Sequence, residues 1–220
     1  MVSSSIPITP RKFRSDLYSS YQEDSNIPLV IYVVASLLER TIAKNERIAT
    51  KCSRSLSMDS RSLAAFEFDC YEAPNMEIQS FLERISRYTG VGPPVYVVAY
   101  VYIDRLCQIH PEFRITSTNV HRLLITTIMV ASKFVEDMNY RNSYFAKVGG
   151  LTTNQMNKLE VDFLFLVGFK LHVNVSVFKS YCCHLEREVS VGGGYQIEST
   201  LKSLWTEAEE IKSISSKGRK

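Results

Sequence analysis

Residues 119–137, NVHRLLITTIMVASKFVED, decide the fold. Val120, Leu123, Leu124, Met129, Val130, Ala131, Phe134 and Val135 recur at three- and four-residue spacing and leave few positions for water. A segment of this length and pattern is a helix enclosed by other helices. Thr116, Ser117 and Thr118 stand before it as candidate caps. Upstream, residues 95–109 are rich in Val and Tyr, which suits a buried strand, but fifteen residues without a breaker exceed the usual strand length. Length therefore decides for a second buried helix.

The pattern continues on both sides. Ile78, Phe81, Leu82 and Ile85 predict a helix from Met76 that stops at the Gly90, Gly92, Pro93, Pro94 cluster. A short helix over 143–148 ends at Gly149 and Gly150, Thr152 and Thr153 restart the chain, and Met156, Leu159, Phe163, Leu166 and Val167 carry a helix to Gly168. Another is expected over 175–188. Further out, Val30, Val33, Val34, Leu37, Leu38 and Ile42 give a helix over 28–45, and the Ser- and Arg-rich residues 46–62 a loop. Residues 1–25 are polar and expected to be flexible. Gly192, Gly193 and Gly194 form a linker to an amphipathic helix on Ile197, Leu201, Leu204, Ala208 and Ile211, ahead of a basic end. No segment alternates as a strand does, so the fold class is all-α.

Composition narrows the function classes. The 26 basic and 23 acidic residues among 220 give a net charge of only +3, which argues against a phosphate-backbone binder. The longest apolar run, residues 95–103, falls well short of the ~20 residues that span a bilayer, and residues 1–25 lack a signal-peptide pattern. Neither nucleic acid nor membrane is the expected partner. Five cysteines without a Cys-x-x-Cys pair read as reduced thiols of a nuclear or cytoplasmic protein. No phosphate loop, His-Glu-x-x-His or Gly-x-Ser-x-Gly elbow occurs. His184 beside Cys182 and Cys183 is the one hint of a metal, but adjacent helix positions point apart, so neither metal nor cofactor is expected.

Three strings make the pattern specific: VAYVYIDR at 98–105, IMVASKFVED at 128–137 and LEVDFLFLVGF at 159–169. In that order and spacing they resemble successive helices of a cyclin box. With FLERISRYTG at 81–90 they are similar to the plant U-type cyclins, also called P-type. The resemblance implies a single five-helix box over 76–188 preceded by a helix, which places the N-terminal helix and loop at 26–75, while the glycine linker, C-terminal helix and basic end at 189–220 rest on their own pattern. It implies a non-enzymatic regulatory subunit for cell-division control that binds and activates a cyclin-dependent protein kinase. Lys133 and Glu160 carry over as the charged pair that contacts the kinase. Asp104 carries over as a structural ion pair with an arginine, here Arg84 or Arg87, because the family's Met-Arg-Ala-Ile-Leu string is missing. That departure also puts the family's substrate-docking patch in doubt.

Residue chemistry alone gives other readings. Lys133 has Glu136 and Asp137 within one helical turn and would pair with them, whereas Glu160 has no cation at i±3 or i±4. Thr9, followed by Pro10, Arg11 and Lys12, matches the Ser/Thr-Pro-x-basic pattern of cyclin-dependent kinase substrates. A helical scaffold that activates no kinase, or a cyclin-fold nucleic-acid-binding factor, are the competing functions.

Overall fold

The computed structural model describes residues 10–18, 27–52, 67–137 and 140–191. Among them the chain forms α1 (Pro10–Tyr18), α2 (Leu29–Cys52), α3 (Ile78–Thr89), α4 (Pro93–Ile109), α5 (Val120–Val135), α6 (Asn142–Gly149), α7 (Thr153–Leu166) and α8 (Val175–Val191). The all-α expectation holds, with α3 to α7 as the five-helix unit.

α5 is the axis of that unit, and α3, α4, α6 and α7 pack around it. From Val120 to Ser132 only Arg122 escapes full burial. The hydroxyls of Thr126 and Thr127 donate to the carbonyls of Arg122 (2.7 Å) and Leu123 (2.8 Å), so α5 carries them without outside partners. α6 comes so close that a Cβ on Gly149 would lie 3.0 Å from Ile125 Cγ1. Thr116, Ser117 and Thr118 do not cap α5. Asn119 precedes its first residue, and its side-chain oxygen accepts from the Thr116 amide at 2.9 Å, locking the preceding turn instead. Thr152 does start α7, through a capping box with Gln155.

α4 is buried on both sides, every residue from Val95 to Ile103 included. One side meets α5 and the other meets α1, α2 and α8. α1 corrects the expectation that residues 1–25 are flexible. Phe13 and Leu17, one turn apart, are 1% and 2% exposed. Asp16 Oδ2 accepts from the Leu29 amide at 2.8 Å, satisfying a first-turn donor of α2, and Arg14 forms a forked bond with Glu186 at 2.7 and 2.8 Å. A stripe of two apolar residues among charges is too short to register as periodicity. α2 also runs further than expected, into the stretch read as loop. Thr9, residues 53–66, the glycine linker, the amphipathic stretch after it and the basic end lie outside the described residues.

Two consequences can be measured. Phe13→Ala removes a fully buried ring at a cost of about 3 kcal/mol, and at about 2–4 °C per kcal/mol for a chain of this size the melting temperature drops by about 6–12 °C. Deleting residues 1–18 does at least as much in calorimetry, and an unchanged melting temperature would contradict the docking of α1. The second concerns His121 and His184, whose pKa values are lowered mainly by burial. The unfolded chain takes up these protons near pH ~6.5 and the folded chain only below that, so stability falls as pH drops from about 7.5 to about 5.5. Urea midpoints over that range should move accordingly, and a His121→Gln, His184→Gln double variant should show a flatter profile.

Candidate functional site

Apart from Arg122 in its first turn, α5 surfaces at its C-terminal end, where Lys133, Phe134 and Val135 leave the core. There the Lys133 ammonium donates to Glu160 Oε1 on α7 at 2.6 Å. The Asn142 amide, on the first residue of α6, donates to Glu160 Oε2 at 2.6 Å, and its carbonyl accepts from Lys133. Three helices thus place one side chain each in a compact polar cluster. The two charged side chains keep 31% and 19% of their surface, so the cluster borders solvent. The structure brings the two sequence-predicted residues together.

The intrahelical reading of Lys133 is corrected by what its neighbours do. Glu136 Oε1 accepts from the Gly92 amide at 2.9 Å and its Oε2 from Ser132 at 3.1 Å, which ties the end of α5 to the α3–α4 turn. Asp137 is exposed. Lys133 instead reaches across to a carboxylate 27 residues away.

Asp104 does not pair with Arg84 or Arg87. Its Oδ2 accepts from the Tyr181 hydroxyl at 2.5 Å and from the Gln108 amide at 2.6 Å. The reason is topological: α3, which carries both arginines, packs on α2, α5 and α6, whereas this end of α4 faces α8. Burial raises the Asp104 pKa, and the Tyr181 and Gln108 hydrogen bonds oppose that rise. Nearby Cys107 has its thiol pushed up to about 12, chiefly by burial, so it carries no thiolate at neutral pH. Cys182 and His184 are buried and Cys183 is exposed, on different sides of α8. Among the described residues no group of three His, Cys, Asp or Glu side chains is placed to hold a metal. No described helix is long and apolar enough to cross a membrane.

Large apolar side chains stand in solvent at the end of α5, on α7 and in the loop after it. Phe134 is 51% exposed beside Lys133, Val161 is 50% exposed beside Glu160, and Phe165 and Phe169 reach 67% and 59%. Phe165 and Phe169 meet edge to face with centroids 5.2 Å apart. Phe169 has φ of 56°, a left-handed conformation that costs an ordinary residue about 1–2 kcal/mol. α4 holds the loop that imposes it. Tyr102 donates to the Leu171 carbonyl at 2.9 Å, Arg105 to the Lys170 and His172 carbonyls, and His110 to the Leu166 carbonyl at 2.8 Å. The backbone on either side of Phe169 is therefore held by these bonds. Sequence reading missed Asn142 and these aromatics; the i, i+4 pair of Val161 and Phe165 opposite the buried stripe of α7 was the available signal.

A separate groove of about 290 Å³ lies between α2, the segment before α3 and the start of α5. Ile42, Pro74, Met76, Ile78 and Val120 line it, with Glu39, Glu46 and Glu77.

Comparison with known proteins follows the same outline. The family model described as Cyclin matches residues 29–171, from the first residue of α2 to the loop latched by α4. The chain is 66% identical to Cyclin-U2-2 of Arabidopsis thaliana over 213 residues, 96% of this chain and 90% of the relative. It is 67% identical to Cyclin-U2-1 of the same plant over 215 residues, 95% of this chain and 90% of the relative. Cyclin-P2-1 of Oryza sativa subsp. japonica is 56% identical over 176 residues, 80% of this chain and 78% of the relative. With a matched domain spanning α2 to the end of the box, and relatives alike along almost their whole length, the chain belongs to the cyclin family, in its plant U/P-type branch.

Proposed function

We propose that this cyclin binds and activates a cyclin-dependent serine/threonine kinase through the face formed by the end of α5 and the outer side of α7, in the nucleus or cytoplasm and in control of cell division. Cyclins are regulatory proteins, and family membership carries that coarse part of the reading. The observation that supports the rest is the Lys133–Glu160 pair at 2.6 Å, flanked in sequence by exposed Phe134 and Val161, with exposed Phe165 and Phe169 further along α7 and past its end. Exposed aromatic side chains on the same two helices as a partly buried charged pair have the composition of an interaction hot spot.

In this reading the kinase supplies all the chemistry. Its strand Lys must pair with a Glu on a mobile helix before the ATP phosphates are aligned. An activator needs only to bind the helix-in state better than the helix-out state. Moving that equilibrium from 1:99 to 99:1 takes about 5.5 kcal/mol of differential affinity. The cluster has the valences for it: one Lys133 N–H beyond the two used, and carboxylate lone pairs on Glu160, match the carbonyl and amide groups of a partner backbone. The exposed rings supply apolar burial.

Lys133→Ala and Glu160→Ala should each weaken kinase binding while leaving helical content in place. Truncating one side of a desolvated charged contact costs about 2–5 kcal/mol, which is about thirty-fold to several thousand-fold in affinity. Asp137→Ala, an exposed carboxylate outside the cluster, serves as control. If titration against the kinase finds all three variants equal to the parent, the α5–α7 face is not the contact.

The bound kinase also has a substrate within the chain. Thr9 should gain phosphate when the active complex is incubated with ATP, because residues before proline favour the extended form that kinases engage. Mass spectrometry showing Thr9 unmodified while another substrate is phosphorylated would dismiss this role.

A further inference from the structure

The Lys133–Glu160 contact poses a problem that the pair cannot solve alone. Lysine and glutamate side chains are long and lose much rotamer freedom when held in one geometry, and half-exposed ion pairs are weak for that reason. A contact that must meet a partner backbone in fixed register needs its charged atoms held beforehand. A third side chain does this. Asn142 accepts from the Lys133 ammonium with its carbonyl, at 2.5 Å, and donates from its amide nitrogen to Glu160 Oε2, at 2.6 Å, and to Asn157 Oδ1, at 2.8 Å. The one amide oxygen and both amide hydrogens are in use. Its own position is fixed, since it is the first residue of α6, and α6 packs on α3, α5 and α7.

We propose that Asn142 is a positioning residue for partner binding: it reads the cation and the anion of the pair with opposite ends of one amide and sets both charged groups toward the partner. The inference rests on the α5–α7 face being the kinase contact. Only an amide of this length fits the role. Aspartate keeps the acceptor for Lys133 but sets a second carboxylate against Glu160, which has no donor left on that side. Alanine removes both bonds and frees both long side chains. Glutamine carries the same amide one methylene too far.

A merely structural role makes a different forecast. At the first turn of a helix aspartate is favoured by the helix dipole and alanine is neutral. By the helix dipole alone Asn142→Asp is the milder change, and the repulsion it sets up with Glu160 in the free chain is read by the melting temperature. The positioning role ranks the variants the other way for binding: about ten-fold loss for Asn142→Ala and a larger loss for Asn142→Asp, by the 1.4 kcal/mol per decade that relates contact to affinity. Calorimetric titration of each variant, and of Lys133→Ala and Glu160→Ala beside them, against a purified cyclin-dependent kinase that binds the parent chain gives the test, with melting temperature as the folding control. Asn142→Asp that melts with the parent and binds more weakly than Asn142→Ala supports the proposal. Asn142 variants that bind as the parent does, while Lys133→Ala and Glu160→Ala lose binding, overturn it and leave the interface reading intact. If Lys133→Ala and Glu160→Ala also bind as the parent does, the interface reading itself falls. If Asn142→Ala fails to fold, the comparison of Asn142→Asp with the parent decides.

Discussion

The enclosure of α5 is the constraint on which everything else depends. A helix buried almost all round can offer a partner little along its length, so apart from Arg122 its contribution to the surface is confined to its last turn. Four helices surround it and leave that end open. Lys133 stands at the opening because its long stem spans the rim of the core while the ammonium reaches the border with water. A charge at this place needs compensation, and α6 and α7 supply it from their own inner edges.

The rest of the fold serves that opening. α1, α2 and α8 cover the far side of α4, so α4 can be as apolar as α5 and still hold it. The polar groups α4 does carry are used as latches: Asp104 to Tyr181 on one side, Tyr102 and Arg105 to the loop after α7 on the other. The second latch holds Phe169 in a left-handed conformation against Phe165. Strain at an exposed aromatic residue is tolerated where the surrounding structure fixes it.

Sequence periodicity made the box legible because α3, α4, α5 and α7 have stripes long enough to count. It could not show α1, whose stripe is Phe13 and Leu17 alone. Lys133 and Glu160 were legible as family positions, and Glu160 also as a carboxylate without an intrahelical partner. That the two meet was not, since the contact joins helices 27 residues apart and Glu136, the nearer carboxylate, is drawn off by the Gly92 amide. Asp104 shows the same limit. Its partner Tyr181 is 77 residues downstream on α8, beyond the α3 to α7 unit, and nothing in the local spacing of α4 points there. Short-range chemistry fixes which groups need partners; the packing of helices decides which partner each receives.

The central claim is that the end of α5 and the outer side of α7 form the kinase contact. Hydroxyl-radical footprinting of the chain alone and in saturated complex with a cyclin-dependent kinase tests it most directly, because the diagnostic side chains are aromatic and exposed. Phe134, Phe165 and Phe169 are expected to lose reactivity in the complex, while Tyr71, fully exposed on the segment before α3, keeps it. Undiminished reactivity at the three phenylalanines in a complex known to be formed would contradict a kinase contact at this face.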